Sequence, residues 1–214
     1  AVLNVFYHLG RAGAIEGDDR IAVYLLIHLL LLLVVIIGGR IIPNFTMGWL
    51  RQNGRGAERM PLSFMPLDVL TVVATVSVGI AAAYAPLSGV LSNGLPWLAL
   101  LAALVHAGRL ACWRGLATRS NPLLFVLHVA YGWLPLGYML TALAAMGYLP
   151  PTLALHALTM GVIGLMILAV TTRVALGHTG RALQASRAVV LAYWLLTLAV
   201  VARLAGTYAS GSYM

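Results

Sequence analysis

Residues 21–42 read IAVYLLIHLLLLLVVIIGGRII, a run in which Arg40 is the only charged side chain. As a helix rising 1.5 Å per residue it would be about 33 Å long, enough to cross a hydrocarbon core of about 30 Å. In lipid every backbone N–H and C=O must be satisfied within its own segment, so a run of this kind is read as one spanning helix.

The rest of the 214-residue chain has the same character. Hydrophobic residues make up 62% and charged residues 8%, and the mean hydropathy is +0.96. No water-soluble domain of this size has such a composition, so the solvent is lipid. Further apolar runs cover Leu67–Tyr84, Leu95–Trp113, Leu123–Met146, Thr152–Leu176 and Ala188–Leu204, with a shorter one at Ala1–Leu9. Polar residues and helix breakers concentrate between them, at 10–17, 43–66, 86–94, 114–122, 147–151 and 177–187. The expected fold is all-α: a polytopic transmembrane helical bundle of six full spans plus an N-terminal helix stub, forming one domain over 1–214. There is no internal repeat, low-complexity segment or heptad pattern. The chain opens without Met inside an apolar stretch, so it is expected to be a piece of a larger membrane protein.

Thirteen Arg, no Lys and five acidic residues give a formal charge of +8. A basic chain can signal nucleic acid, but these Arg lie in short segments between apolar runs, where they orient a protein in its bilayer. The expected partner is lipid, with no nucleic acid. Alternating spans put Arg40, Arg51, Arg55, Arg59, Arg109, Arg114, Arg119, Arg173, Arg181 and Arg187 on one side, and Arg11, Arg20 and Arg203 on the other. The positive-inside rule makes the first side cytoplasmic. The other side carries Glu16, Asp18 and Asp19 in its first loop. Cys112 is the only cysteine, which excludes an internal disulfide; a buried structural thiol is the plainer reading of it than a ligand.

Ionisable side chains inside a span are costly and usually functional. The acidic residues avoid the apolar runs, with Asp68 at a span end, which leaves no carboxylate metal site or carboxylate proton relay. Histidine does enter the runs, at His8, His28, His106, His128 and His156, and His178 follows just past one. Neutral imidazole binds haem iron and copper without importing charge into a low-dielectric bundle. By depth, His8, His28 and His156 belong near one face, and His106 and His128 near the other, so two sites are expected, one per leaflet. Met160 lies one turn from His156 and is either a soft ligand or a gap-filler. Gly132 and Pro135 open and kink the helix beyond His128. Arg40 in one boundary segment, and Arg173, His178 and Arg181 in another, could hold haem propionates or another anion, or simply anchor the helices. No phosphate loop, nucleophile elbow or haem-attachment motif occurs.

The strings GGRIIPNFT (38–46), NPLLFVLHVAYGWLPLG (121–137) and LHALTMGVIGLMILAVTTRVALGHTGR (155–181) resemble the diagnostic segments of the NnrS family. These are bacterial inner-membrane proteins, mostly of denitrifying and related proteobacteria, associated with the response to nitric oxide. The resemblance implies a haem- and copper-containing protein that relieves nitrosative stress. It also implies a parent with about twice as many spans, of which this chain is most of the carboxy-terminal half and the missing half is a partner. Carried over residue by residue, it supports His8, His128, His156 and His178, while His28 stands outside the family pattern.

The expected metal ligands are therefore His8, His28, His128 and His156, the expected cofactors haem and copper, and the expected small partner nitric oxide. Two other classes compete: a proton-coupled transporter or channel using intramembrane His, and an electron-transfer cytochrome with no open coordination position.

Overall fold

The computed structural model describes residues 19–54, 61, 62 and 64–209. The stub at 1–9 with His8, the segment with Arg11, Glu16 and Asp18, and Arg55 and Arg59 lie outside the described residues. Among the described residues six helices are long and apolar enough to cross a membrane, and no strand occurs. The protein is a multi-pass α-helical membrane protein.

We number the spans in order. α1 comprises helix Asp19–Leu33, a wide π turn Val34–Gly38 and helix Gly39–Gln52. α2 is Met65–Tyr84, closed by a 3-10 turn Ala85–Leu87. α3 is Gly89–Cys112 and α4 is Pro122–Ala145. α5 joins Pro151–His156, a π segment Ala157–Gly164 and Leu165–His178. α6 is Arg187–Ala209.

The termini follow local chemistry. Ser88 caps α3, its hydroxyl accepting from the Leu91 amide, and prolines stand in the first turns of α2, α4 and α5, where a missing N–H costs nothing. Arg114, at φ 57°, makes the left-handed turn between α3 and α4.

Two expected loops are corrected. The chain does not leave the helix at Pro43: α1 continues to Gln52 with Pro43 inside it. The wide turn Val34–Gly38 lies just before Pro43 and supplies the local adjustment by which membrane helices keep a proline within a span. Likewise 86–94 is mostly helical, because α3 starts at Gly89 and carries Pro96 inside.

α4 is the central helix, with twelve buried residues including Leu123, Leu127, Tyr131, Leu134 and Tyr138. It packs against α3 on one side and both halves of α5 on the other. Without a hydrophobic drive between helices in lipid, close packing of small residues has to hold them together. Ala99, Ala102 and Ala103 on α3 are buried accordingly, and Gly161 on α5 meets the Trp133 ring so closely that a Cβ would lie 2.6 Å from its Cγ. α6 is peripheral, burying only Tyr193 and Val200. Leu191, Trp194, Leu195 and Leu198 point outward, a fault in water but the normal surface toward acyl chains.

Candidate functional site

The core contains a buried polar chain that crosses four helices. Arg109 on α3 is 4% exposed. Its Nε donates to Asp68 Oδ1 at 2.8 Å and its Nη2 lies 2.7 Å from the same oxygen. Its Nη1 donates to the Val35 carbonyl in the wide turn of α1 at 2.9 Å and to the Tyr131 hydroxyl at 3.2 Å. The guanidinium lies against Gly39, where a Cβ would overlap it, and sits 5.2 Å from the Trp113 ring centre.

Donor directions along this chain are fixed by counting hydrogens. The Thr75 hydroxyl donates its one hydrogen to the Thr71 carbonyl at 2.9 Å, so it must accept from His106 Nε2 at 3.1 Å. His106 therefore carries its proton on Nε2, and its Nδ1 accepts from the Tyr131 hydroxyl at 2.8 Å. Order runs from Arg109 through Tyr131 and His106 to Thr75 and stops at a backbone carbonyl. His106 has both nitrogens engaged.

His28 differs from His106 in that respect. His28 Nδ1 donates to the Tyr24 carbonyl at 2.9 Å, which leaves Nε2 with its lone pair; that atom is buried and has no hydrogen-bond partner. An imidazole tied through one nitrogen to a backbone carbonyl, with the other free, is oriented as a metal ligand. Its position depends on Gly79 of α2, where a Cβ would come 2.7 Å from the His28 Cβ. His128 shares only half of the pattern: Nδ1 donates to the Leu124 carbonyl at 3.0 Å, while Nε2 lies 3.4 Å from the Thr46 hydroxyl and the ring has a second backbone hydrogen bond, at Trp113. Its ring rests on Gly115, where a Cβ would lie 2.6 Å from Cδ2.

Each of the two lines a cavity. A cleft of about 240 Å³ is lined by His28, Tyr24, Arg20, Thr141 and Pro151 among others. At the opposite end of the bundle a groove of about 680 Å³ is lined by His128, Arg114, Leu110, Phe125 and Pro135, within the size range of cofactor sites. No group of three or more His, Cys, Asp or Glu capable of holding a metal occurs among the described residues. His28 and His128 thus each offer a single imidazole to its own cavity, and no complete protein-only copper site is assembled among the described residues.

The remaining expected residues separate. His156 is half-buried, its Nε2 accepting from Arg203 Nε at 3.2 Å while its Nδ1 is buried without a partner. It lies near the same bundle end as His28, and His8 is outside the described residues. His106 and His128 do not meet, because Tyr131 and Trp113 stand between them. Arg173, half-buried, stacks over Phe45 at 4.0 Å and lines a cavity of about 440 Å³ together with His178 and Phe45. Arg40 and Arg181 are exposed and line none of these cavities.

Asp68 and Arg109 do lie at span ends as expected, in the first turn of α2 and the last turn of α3; what sequence reading did not supply is that they pair and that Arg109 is buried. The structure also brings in Tyr131, Tyr138, Thr75 and Thr46. The available signal was His106 followed by Arg109, two polar residues on one face of an apolar helix.

Fold and interior together define a multi-pass helical membrane protein whose bundle carries buried, oriented histidines. Residues 1–214, the whole chain, match the NnrS protein family. The protein belongs to that family. No curated protein and no solved structure matches the chain.

Proposed function

We propose that the protein is a haem-binding membrane protein, with copper as a second metal, that acts in the bacterial response to nitric oxide and nitrosative stress. The observation that carries this reading is the buried, partnerless Nε2 of His28, fixed by the Tyr24 carbonyl, in a chain that belongs to the NnrS family. A lone pair in that position is costly to bury unless something binds it.

His28 and His128 are the ligands we assign first. Each is pre-aligned by an Nδ1–H bond to the carbonyl four residues earlier; His28 needs no rearrangement, whereas His128 has to release its contacts with Thr46 and the Trp113 backbone. Arg114 at the His128 groove, or Arg173 and His178 at the neighbouring cavity, would hold propionates; Arg40 and Arg181 would serve at the boundary only. When bound, haem supplies an iron that takes up nitric oxide. Copper asks for several ligands at once, and we place it with His8 and His156, once His156 releases Arg203. By the positive-inside rule the ends at Gln52, Met65, Cys112, Pro122, His178 and Arg187 face the cytoplasm of the inner membrane.

The test is metal and haem analysis with reduced-minus-oxidised spectra on full-length protein from a haem-replete host. Haem in stoichiometric amount and a shift of the reduced spectrum on adding nitric oxide are expected. Absence of both haem and copper overturns the proposal, and haem whose reduced spectrum ignores nitric oxide reassigns the protein as an electron-transfer cytochrome.

A further inference from the structure

The two half-buried or buried arginines inside spans are treated differently by the fold. Arg109 has Asp68 as its counter-ion. Arg173 of α5 has none: among the described residues no carboxylate pairs with it and no group accepts a hydrogen bond from it, and its partner is the Phe45 ring, 4.0 Å from the guanidinium carbon. It stands five residues before the end of α5 at His178, about 7.5 Å along the axis from that end. An arginine held inside a span is costly unless something brings negative charge to it.

The stack on Phe45 leaves the guanidinium ready for an anion. A ring engages the face of the group, whereas its N–H donors point outward in its plane, so none of them is used up. That planar fork matches two oxygens of one phosphate group. There is also room beside it: Gly177, one turn further along α5, lines the same cavity of about 440 Å³, and a Cβ there would meet nothing within 4 Å.

The walls of the cavity select among anions. Ile41 of α1, Leu127 of α4 and Val170 of α5 line it, and a free phosphate would use the fork while leaving this apolar length without a partner. A haem propionate would need an imidazole for the iron in the same space, but the histidine lining this cavity is His178, exposed at the helix end, and His128 borders a different groove. A phospholipid with a net negative headgroup meets both demands, with its phosphodiester at the fork and an acyl chain along the wall. It can enter from the side, where the lining residues Val174 and Leu183 are 48% and 45% exposed. Basic pockets between spanning helices recognise anionic headgroups in this way.

We infer that the cavity between α1 and α5 binds one anionic phospholipid of the leaflet at the His178 end of the bundle, with Arg173 gripping its phosphodiester and His178 at the rim. Bound there, the lipid ties the second half of α1, which carries Thr46, to α5. The inference rests on the cavity and the fold and holds whichever metals the protein carries. Within the proposed function it leaves the propionates to Arg114.

The test is native mass spectrometry on full-length protein from mixed micelles containing equal amounts of phosphatidylglycerol and phosphatidylcholine with the same acyl chains. Wild-type protein should retain phosphatidylglycerol in preference to phosphatidylcholine. Arg173→Ala should lower that preference about fivefold or more, and Phe45→Leu, which keeps apolar bulk but removes the platform, should lower it less. Arg119→Ala removes an exposed cation at the same bundle end that lines none of these cavities and should leave it unchanged. Because the readout is a ratio of two lipids, a general loosening of the bundle moves both amounts and not the preference. Should Arg173→Ala fail to insert, Arg173→Lys, which keeps the charge without the fork, decides by the same ratio and should fall below wild type. An undiminished preference in the Arg173 variant, or an equal drop in Arg119→Ala, overturns the inference. So does loss of haem absorbance from Arg173→Ala with the lipid preference intact, which would give the fork to a propionate.

Discussion

His28 on α1 packs directly against Gly79 on α2, so that a Cβ at residue 79 would fall 2.7 Å from the His28 Cβ and 2.9 Å from its Cγ. Both helices are backed by the core, so the ring cannot yield without losing its bond to the Tyr24 carbonyl. Gly79→Ala should therefore act like His28→Ala. In full-length protein each should remove one metal or haem signature while leaving membrane insertion intact. Metal content and optical spectra check this, and a Gly79→Ala protein with a normal spectrum would take the ligand role away from His28.

The Arg109–Asp68 pair should behave as a buried charge more than as a strong tie. The two side chains are 5% and 33% exposed, so Asp68 keeps some water and its share of the attraction is screened. Asp68→Leu alone leaves the guanidinium uncompensated and should cost about 3 kcal/mol. The double change Asp68→Leu with Arg109→Leu should cost less than the single one, since the orphaned charge is gone. Thermal unfolding in detergent gives the order, and a double variant weaker than Asp68→Leu would show a net-stabilising pair.

His156 gives a prediction with opposite signs at two positions. Its Nε2 is held by Arg203, so as a copper ligand it competes with that bond. His156→Ala should lower bound copper in full-length protein, whereas Arg203→Ala should free the nitrogen and tighten copper binding. Titration with a Cu(I) chelator measures both. If neither substitution moves the affinity, His156 is a packing residue with a guanidinium partner.

Topology is checked with single cysteines in a Cys112→Ser background. Asn53 and Tyr148 are both exposed, at opposite ends of the bundle. An impermeant thiol reagent added to intact spheroplasts should label Tyr148→Cys and spare Asn53→Cys. The reverse pattern would invert the assigned orientation.

All six spans could be read from hydropathy because lipid imposes one rule on every segment. The helix beyond Pro43 could not, since Gly39–Gln52 carries Arg, Asn, Gly and Pro and reads as a connection. It is helical because its buried residues, Ile42, Thr46 and Leu50, dock on the bundle; their four-residue spacing is the one-faced pattern of an amphipathic helix, which a search for uniformly apolar runs passes over. The histidines were visible as polar residues in apolar runs, but their roles were not. His106, left out of the expected ligands, proved central to the hydrogen-bonded chain, since its partners Thr75 and Tyr131 come from two other helices. Asp68 and Arg109 are 41 residues apart in sequence, and each taken alone resembles an ordinary boundary charge.

The wide turn Val34–Gly38 also governs how α1 tolerates changes in length. A π turn holds one residue more than regular α-helix needs to join the same two ends. Deleting one residue there would return the turn to ordinary pitch and leave His28 and Thr46 directed as before, although Val35 would lose the carbonyl position that Arg109 uses. Inserting one residue has no such outlet and would swing everything beyond it by about 100°, carrying Thr46 away from His128. Lineages of this chain should therefore accept gaps at this point and reject additions, an asymmetry readable as the count of residues between His28 and Pro43.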